Sequence, residues 1–422
     1  MLRSAASIHR QRRSHAQQAQ WCIFKCALCL LPLVLIALFL HPRLSVLKDT
    51  PTGHHGHHHG SPYKLEFRQV SSLSSTAASS ARNNKAAVFK ILQLADIHLG
   101  EAEDTDWGPR QDSKTWRLMD RVITLERPDL IVLSGDQLTA NNVDQNATTY
   151  YRLLGQHLSY YGVPWAMIFG NHDDANLYGT NETKTSREEL LAMDQQFPLS
   201  LSQSTPGLFG TSNYKLNVHY PSKWFDKPVK GKDDVVLQLF FLDSGGGVLP
   251  QTLEQNQIQW FQKEHRSDVE GVIVFQHIPT AEFVYRDGDV CHGLHDDPVD
   301  SIRPDPGIVQ TLQEAGNVQW LASGHDHGND YCCSTKSKAN VTTNGQQHPN
   351  GKSRLHLCFG RHSGYGGYGQ WSRGARVYEI SLQRKQEQSS TVDMALSWKS
   401  WVRNETGSVL DPYEPFEASA GP

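Results

Sequence analysis

Five short polar signatures follow one another along the chain: Asp96-Ile97-His98, Gly135-Asp136, Gly170-Asn171-His172-Asp173, Gln276-His277 and Gly324-His325-Asp326-His327. Asp, Asn and His offer the oxygen and nitrogen donors that divalent and trivalent cations take. Asp96, His98, Asp136, Asn171, His277, His325 and His327 could together hold two metal ions about 3.5–4 Å apart, a pair suited to an in-line displacement at phosphorus. In that chemistry one ion acidifies a bridging water to hydroxide, and both neutralise charge on the phosphate. Asp136 is the natural bridging carboxylate, because it lies early on a central strand. His325 and His327 are two residues apart, and in extended chain such positions share a face. The same spacing joins Asp96 to His98. His172 adjoins a ligand-type residue but faces another way, which suits it to bind phosphate or to protonate the leaving oxygen. Asp173 is the carboxylate expected to orient it.

Each signature follows an apolar run that reads as a strand: 89–95, 130–134, 163–169, 271–275 and 318–323. A buried strand has no polar work of its own, and in open α/β sheets ligands bind at the carboxyl ends of strands. Helical patterns over 113–125, 148–160, 186–196, 253–264 and 307–315 separate these runs. Ser186 and Glu189 form a capping-box signature for the third of them. Further strands are expected over 211–219, 235–242, 355–359 and 375–382, with 397–403 as a last edge. Antiparallel strands therefore flank parallel ones. The fold class is α/β (α+β), with two mixed sheets packed face to face and helices outside. Gly135, Gly170 and Gly324 stand where a tight strand-to-loop turn tolerates no side chain.

The rest of the chain bounds where this chemistry would take place. Residues 1–20 are a basic, polar tail carrying Arg3, Arg10, Arg12 and Arg13. An apolar stretch over 21–41 follows, interrupted by Lys25, and no small-residue cleavage pattern succeeds it. This reads as an uncleaved signal anchor with the tail in the cytosol and the remainder lumenal or extracellular; a cleaved signal peptide and a secreted product is the alternative. Residues 42–86 have no helical or strand periodicity and read as a disordered stem, whose His-rich run 53–60 is a solvated linker. The folded domain is expected over 87–412, with an unpaired tail over 413–422. Sequons at Asn146, Asn181, Asn340 and Asn404 fit lumenal surface loops. Cys291, Cys332, Cys333 and Cys358 allow two disulfides, with adjacent Cys332 and Cys333 reaching separate partners, Cys291 and Cys358. A net charge of -4 with no gathered Lys or Arg beyond the N-terminus argues against a nucleic-acid partner.

These residues resemble the calcineurin-like metallophosphoesterase superfamily, whose pattern is D-x-H, G-D, G-N-H-D/E, H and G-H-x-H. The resemblance covers roughly residues 87–410 and implies an αββα sandwich. It implies one metal on Asp96, His98, Asp136 and His327, a second on Asp136, Asn171, His277 and His325, and His172 as the catalytic histidine. The runs Leu92–His98, Gly324–Cys332 and Gly360–Gly369 are similar to a short, purple-acid-phosphatase-like branch of plants and fungi. True purple enzymes carry a Tyr three residues after the Gly-Asp aspartate; this chain has Thr139 there and supplies His98 instead. No purple colour is expected, and Fe, Mn or Zn all suit such ligands. The Gly-rich loop 360–369 either borders the site, with Arg361, His362, Tyr365 and Tyr368 on substrate, or is only a tightly turned loop. His292 and His295 are expected to face solvent. The implied activity is phosphomonoester hydrolysis, phosphoproteins included; a phosphodiesterase or nucleotide pyrophosphatase on the same metals is the first rival, and a metal-bearing scaffold without catalysis the second.

Overall fold

The computed structural model describes residues 63–70, 86–141, 143, 147–177, 180–222, 224, 234–285, 290–335, 355–384 and 394–415. The basic tail, the signal anchor and the His-rich run lie outside these. Among the described residues no helix is long and apolar enough to cross a membrane.

In chain order the first elements are β1 (Leu65–Glu66), β2 (Arg68–Val70), β3 (Ala86–Leu94), α1 (Gly108–Glu126), β4 (Leu130–Ser134), α2 (Ala147–Tyr161), β5 (Trp165–Ile168) and α3 (Arg187–Asp194). Next come β6 (Tyr214–His219), β7 (Val235–Phe241), α4 (Gln255–Glu264), β8 (Gly271–Phe275), β9 (Cys291–His292), α5 (Ile308–Ala315) and β10 (Val318–Ser323). The last are β11 (Cys332–Ser334), β12 (His356–Phe359), β13 (Gly374–Arg384), β14 (Met394–Asn404) and β15 (Val409–Tyr413). One sheet runs β1-β6-β7-β8-β10-β12-β11-β9, and the other runs β15-β14-β13-β3-β4-β5, with β2 also paired to β3. Both are mixed. Parallel pairs such as β3–β4, β4–β5 and β8–β10 stand beside antiparallel pairs such as β13–β3 and β6–β7.

Side-chain alternation along the strands builds the layers. Phe89 and Ile91 of β3 meet Ile273 and Phe275 of β8 in the core between the sheets, whereas Leu92 and Leu94 turn outward onto Leu118, Met119 and Val122 of α1. The other sheet repeats the pattern, with Val272 and Val274 facing Ile258 and Phe261 of α4 and Ile308 and Leu312 of α5. Trp320 of β10 stacks on Tyr378 of β13 across the interface, their rings 4.6 Å apart and 11° from parallel. The expected αββα sandwich is therefore the observed one. Helix α3 begins on the expected cap: the Ser186 side chain accepts from Glu189 N, and Glu189 returns the bond to Ser186 N.

Several boundaries differ from expectation. Residues 65–70, read as stem, belong to the sandwich: β1 pairs with β6, and Phe67 is buried in the central core. Six residues are too few to show a period, and only their sheet partners define them. The strand expected at the far edge is longer than its apolar run and is covered by β15, which ends at Tyr413. The cysteines pair as Cys291–Cys333 and Cys332–Cys358. Each pair occupies directly opposed positions on neighbouring antiparallel strands, so β11 is tied to both of its neighbours.

Candidate metal centre

The strands β3, β4 and β5 of one sheet and β8 and β10 of the other all end at one rim of the sandwich. Backbone bonds carry their parallel register into the loops: Asp96 N donates to Gly135 O at 3.1 Å, and His98 N to Asp136 O at 2.9 Å. Gln93 locks the sheets together just beneath, its amide nitrogen donating to Ser134 Oγ at 2.9 Å and to Ser323 O at 3.2 Å. The loops then turn sharply. Asp96, His98, Asp136 and His325 all adopt left-handed backbone, with φ of 55°, 49°, 52° and 79°. Side chains other than glycine's rarely sit there, and the strain persists only where the surroundings impose it. Room is equally restricted. A Cβ on Gly135 would lie 2.2 Å from His277 Nδ1, and one on Gly170 2.2 Å from Asp136 Oδ1.

Two groups of donor atoms result: Asp96, His98 and His327, and Asp136, His277 and His325, the atoms within each lying inside 4.8 Å of one another. His277 Nε2 is 3.2 Å from Asp136 Oδ2 and 3.1 Å from Asn171 Oδ1, and His325 Nδ1 is 2.8 Å from the same amide oxygen. Asp136 stands between the groups, since His98 Nε2 also lies 3.7 Å from Asp136 Oδ2. All seven expected donors are thus brought together.

Three of the four histidines, His277, His327 and His98, are anchored from behind. His277 Nδ1–H donates to Ser134 O at 2.9 Å, and His327 Nδ1–H donates to Tyr368 O at 2.9 Å. A carbonyl only accepts, so Nε2 is the nitrogen each ring turns inward; burial pulls His277 down, but the adjacent Asp136 carboxylate overrides it and raises that ring to about 9. His98 Nδ1 bonds Thr139 Oγ1 at 2.9 Å, and His98 Nε2 then meets His327 Nε2 at 3.1 Å. Two inward lone pairs that close repel unless a cation or a proton lies between them. Burial pushes His327 down to about 3 and His325 to about 4, and takes His98 well below its ordinary range. Those rings are neutral, which is the form that binds metal. Burial also pushes Asp96 up to about 7. Burial acts the same way on Asp136, but the surrounding histidines, His277 foremost, override it and hold that carboxyl well below the usual range. The donor set is what a pair of cations fits: hard and borderline donors, buried and oriented, with no Lys or Arg among them.

The cleft above has a volume of about 340 Å³ and is lined by Asp136, His172, Asp297, Pro298, Asp300, His325, Asp326, His327 and Tyr368. His172 lies on its wall, half-buried. Asp173, expected to orient that ring, does something else. Its carboxylate is fully buried and accepts from the backbone N–H of Asp136, Leu138 and Gly170 and from the Tyr151 hydroxyl. It clamps two ligand loops to each other. The partner of His172 Nδ1 is Asn141 Oδ1, 3.2 Å away.

The Gly-rich loop both supports and borders the site. Ser363 N donates to Ala95 O and Gly364 N to Asp96 O, so the loop packs directly under the first group. Tyr368 stacks on His327 with rings 4.0 Å apart and lines the cleft. His362 is fully buried on the other side of His327, ring centroids 3.8 Å apart, and cannot touch substrate. Arg361 is turned away onto Asp330 and Ser372 O, and Tyr365 donates to Glu405. Of the four residues expected on substrate only Tyr368 reaches the cleft. His292 and His295 are exposed and outside it. Thr139, Asn141, Asp297, Asp300 and Asp326 were not among the expected site residues; loop polarity alone does not separate them from solvated neighbours.

A profile for the calcineurin-like phosphoesterase family matches residues 89–329. The chain is 28% identical over 394 residues to an Arabidopsis thaliana protein named "Probable inactive purple acid phosphatase 14", covering 81% of this chain and 90% of that one. It is also 28% identical over 344 residues to the Saccharomyces cerevisiae protein "Phosphatase DCR2", across 73% of this chain and 54% of the yeast protein. Among solved structures, the purple acid phosphatase PPD1 from yellow lupin seeds superposes with a TM-score of 0.42 at 14% identity, covering 77% of this chain and 53% of that one. The chain belongs to the calcineurin-like phosphoesterase family.

Proposed function

We propose that this protein hydrolyses phosphomonoesters at a dinuclear metal centre. Asp96, His98, Asp136 and His327 would hold one ion, and Asp136, Asn171, His277 and His325 the other, with Fe, Mn and Zn all compatible. A bound pair supplies charge neutralisation for the phosphate and acidifies water. The chain's own residues do the rest. Asp136 joins the two groups, Thr139, Ser134 and Tyr368 keep three imidazoles aimed inward, and His172 faces the cleft. Asn141 takes the Nδ1 proton of His172, so Nε2 is the atom that holds or delivers a proton to the leaving oxygen.

The observation that carries this reading is the completeness of the donor set: seven donors converge, with three of the four histidines anchored from behind. The word "inactive" in the name of the Arabidopsis relative says nothing of this chain, in which no expected donor is missing. The names of both relatives favour monoesters over diesters. The two disulfides support an oxidising compartment, in line with a lumenal domain carried by the anchor over 21–41. Asn181 is exposed, as a glycan acceptor must be.

The test is hydrolysis of a nitrophenyl monoester against its bis-ester by the purified full-length chain, together with metal analysis. Asp136→Asn should lower metal content and abolish turnover. His172→Ala should keep both metals and slow turnover by about 10²–10⁴-fold. Full activity in either variant refutes the assignment, and preference for the bis-ester makes the protein a phosphodiesterase.

A further inference from the structure

We infer that the cleft selects phosphate monoesters that carry an ammonium or guanidinium group close to the phosphate. This rests on the phosphomonoesterase reading and names the substrate class within it. Sites for strongly anionic phosphates usually recruit Arg or Lys. Among the described residues that line this cleft there is neither, while Asp297, Asp300 and Asp326 all face it. The guanidinium groups nearby are spent inside the fold: Arg361 on Asp330, and Arg373 on the carbonyls of Gly364, Gly369 and Trp371.

Asp326 carries the argument beyond a cluster of acids. It is 3% exposed, its Oδ1 accepts from Asp300 N at 3.3 Å, and its Oδ2 has no hydrogen-bond partner. A buried acceptor left without a donor is costly, and here it lies in the wall of the cleft, where an incoming N–H group can satisfy it. The position is next to the reacting centre, because Asp300 Oδ2 is 3.7 Å from His325 Nε2. The Asp300 side chain is 67% exposed and can be reached from solvent. Tyr368, 50% exposed and hydrogen-bonded to Asp297, adds an aromatic surface of the kind on which ammonium groups rest. Polyphosphates, which bring further negative charge to the same wall, are disfavoured by the same geometry.

The experiment compares kcat/KM for phosphoethanolamine and for n-propyl phosphate, its neutral isostere, using the full chain with Mn²⁺. A preference for the cationic ester on the order of 10-fold at low ionic strength is expected, shrinking with added salt, because ion pairs near solvent are individually weak and screened. Asp300→Asn should reduce that ratio by about 3-fold. The ratio cancels any change at the metals, since both esters react at one centre. Phosphoserine peptides flanked by Arg or by Glu locate the source of the cation. A larger contrast between the peptides than between the small esters assigns it to a protein substrate; the converse assigns it to an amino alcohol. A ratio at or below one, or a ratio that Asp300→Asn leaves unaltered, overturns the inference while leaving phosphomonoesterase activity intact. No hydrolysis of any monoester, nitrophenyl phosphate included, refutes the reading on which it rests.

Discussion

Replacing Thr139 by Val should loosen one metal and spare the other. Among the described residues the Thr139 hydroxyl is the hydrogen-bond partner of His98 Nδ1, at 2.9 Å, and both residues are buried. Valine keeps the shape and removes the acceptor, so that Nδ1–H is stranded away from water. A buried polar group left unpaired costs about 1–3 kcal/mol. At 1.4 kcal/mol per decade this is a loss of roughly 5- to 150-fold in affinity, in line with the roughly 10–100-fold that removing such an outer partner typically causes. His277 and His325 have separate supports in Ser134 O and Asn171, so the second group should keep its affinity. Competitive titration of the metal-free protein with Zn²⁺ against a chromophoric chelator resolves the two sites, and Thr139→Ser should restore the first. Equal weakening of both sites, or none, would mean that His98 is not held in place by this bond.

Arg187 is buried between Asp174 and Asp243 and donates to the carbonyls of Gly170 and Gly246, behind the loop that carries Asn171. Arg187→Leu strands buried carboxylates and should cost about 3–5 kcal/mol in denaturant unfolding; a loss below 1 kcal/mol contradicts that role. Burial alone would raise the Asp243 carboxyl, but Arg187 and the N–H groups of Ser212, Thr211 and Gly245 hold it below its ordinary value. Its folded pKa is thus below its unfolded one. Its contribution is complete above about pH 4 and is lost as pH falls through the folded value. Asp243→Asn should flatten the acid side of the stability profile, measured by urea unfolding between pH 6 and pH 3. Burial raises the Asp174 carboxyl, which works in the opposite sense and makes the native slope shallower than Asp243 alone would give. Replacing Cys332 and Cys358 together by Ala opens a loop of 26 residues and should cost about 3.5 kcal/mol, read as a lowered urea midpoint with Cys291–Cys333 intact.

The donors were legible because each follows an apolar run at a strand end, where a polar side chain needs a reason. The layers were legible because apolar residues alternate with the period of the strands. What stayed hidden depends on contact across long separations. Phe67 is core only because β1 lies against β6. Thr139 draws meaning from the His98 ring, and Asp326 from a cleft that its neighbours in sequence do not reveal. Asp173 shows the opposite case. A carboxylate beside the candidate acid suggested catalysis, yet the backbone N–H groups around it claim its oxygens first. Arg361 and Tyr365 failed likewise, because a Gly-rich loop puts neighbouring side chains on different sides.

The support beneath Asp96 and His98 has a consequence for synthesis. Ala95 N donates to Ser363 Oγ across 268 residues of chain. A nascent polypeptide therefore carries every coordinating side chain before it carries the floor on which the first group rests. Truncation shortly after His327 would remove β11–β15 and with them Tyr378, Ile380, Leu382 and Trp398 of the core between the sheets, so neither group would keep its scaffold. Both sites should therefore form only after the strands that follow Ser363 have emerged from the ribosome.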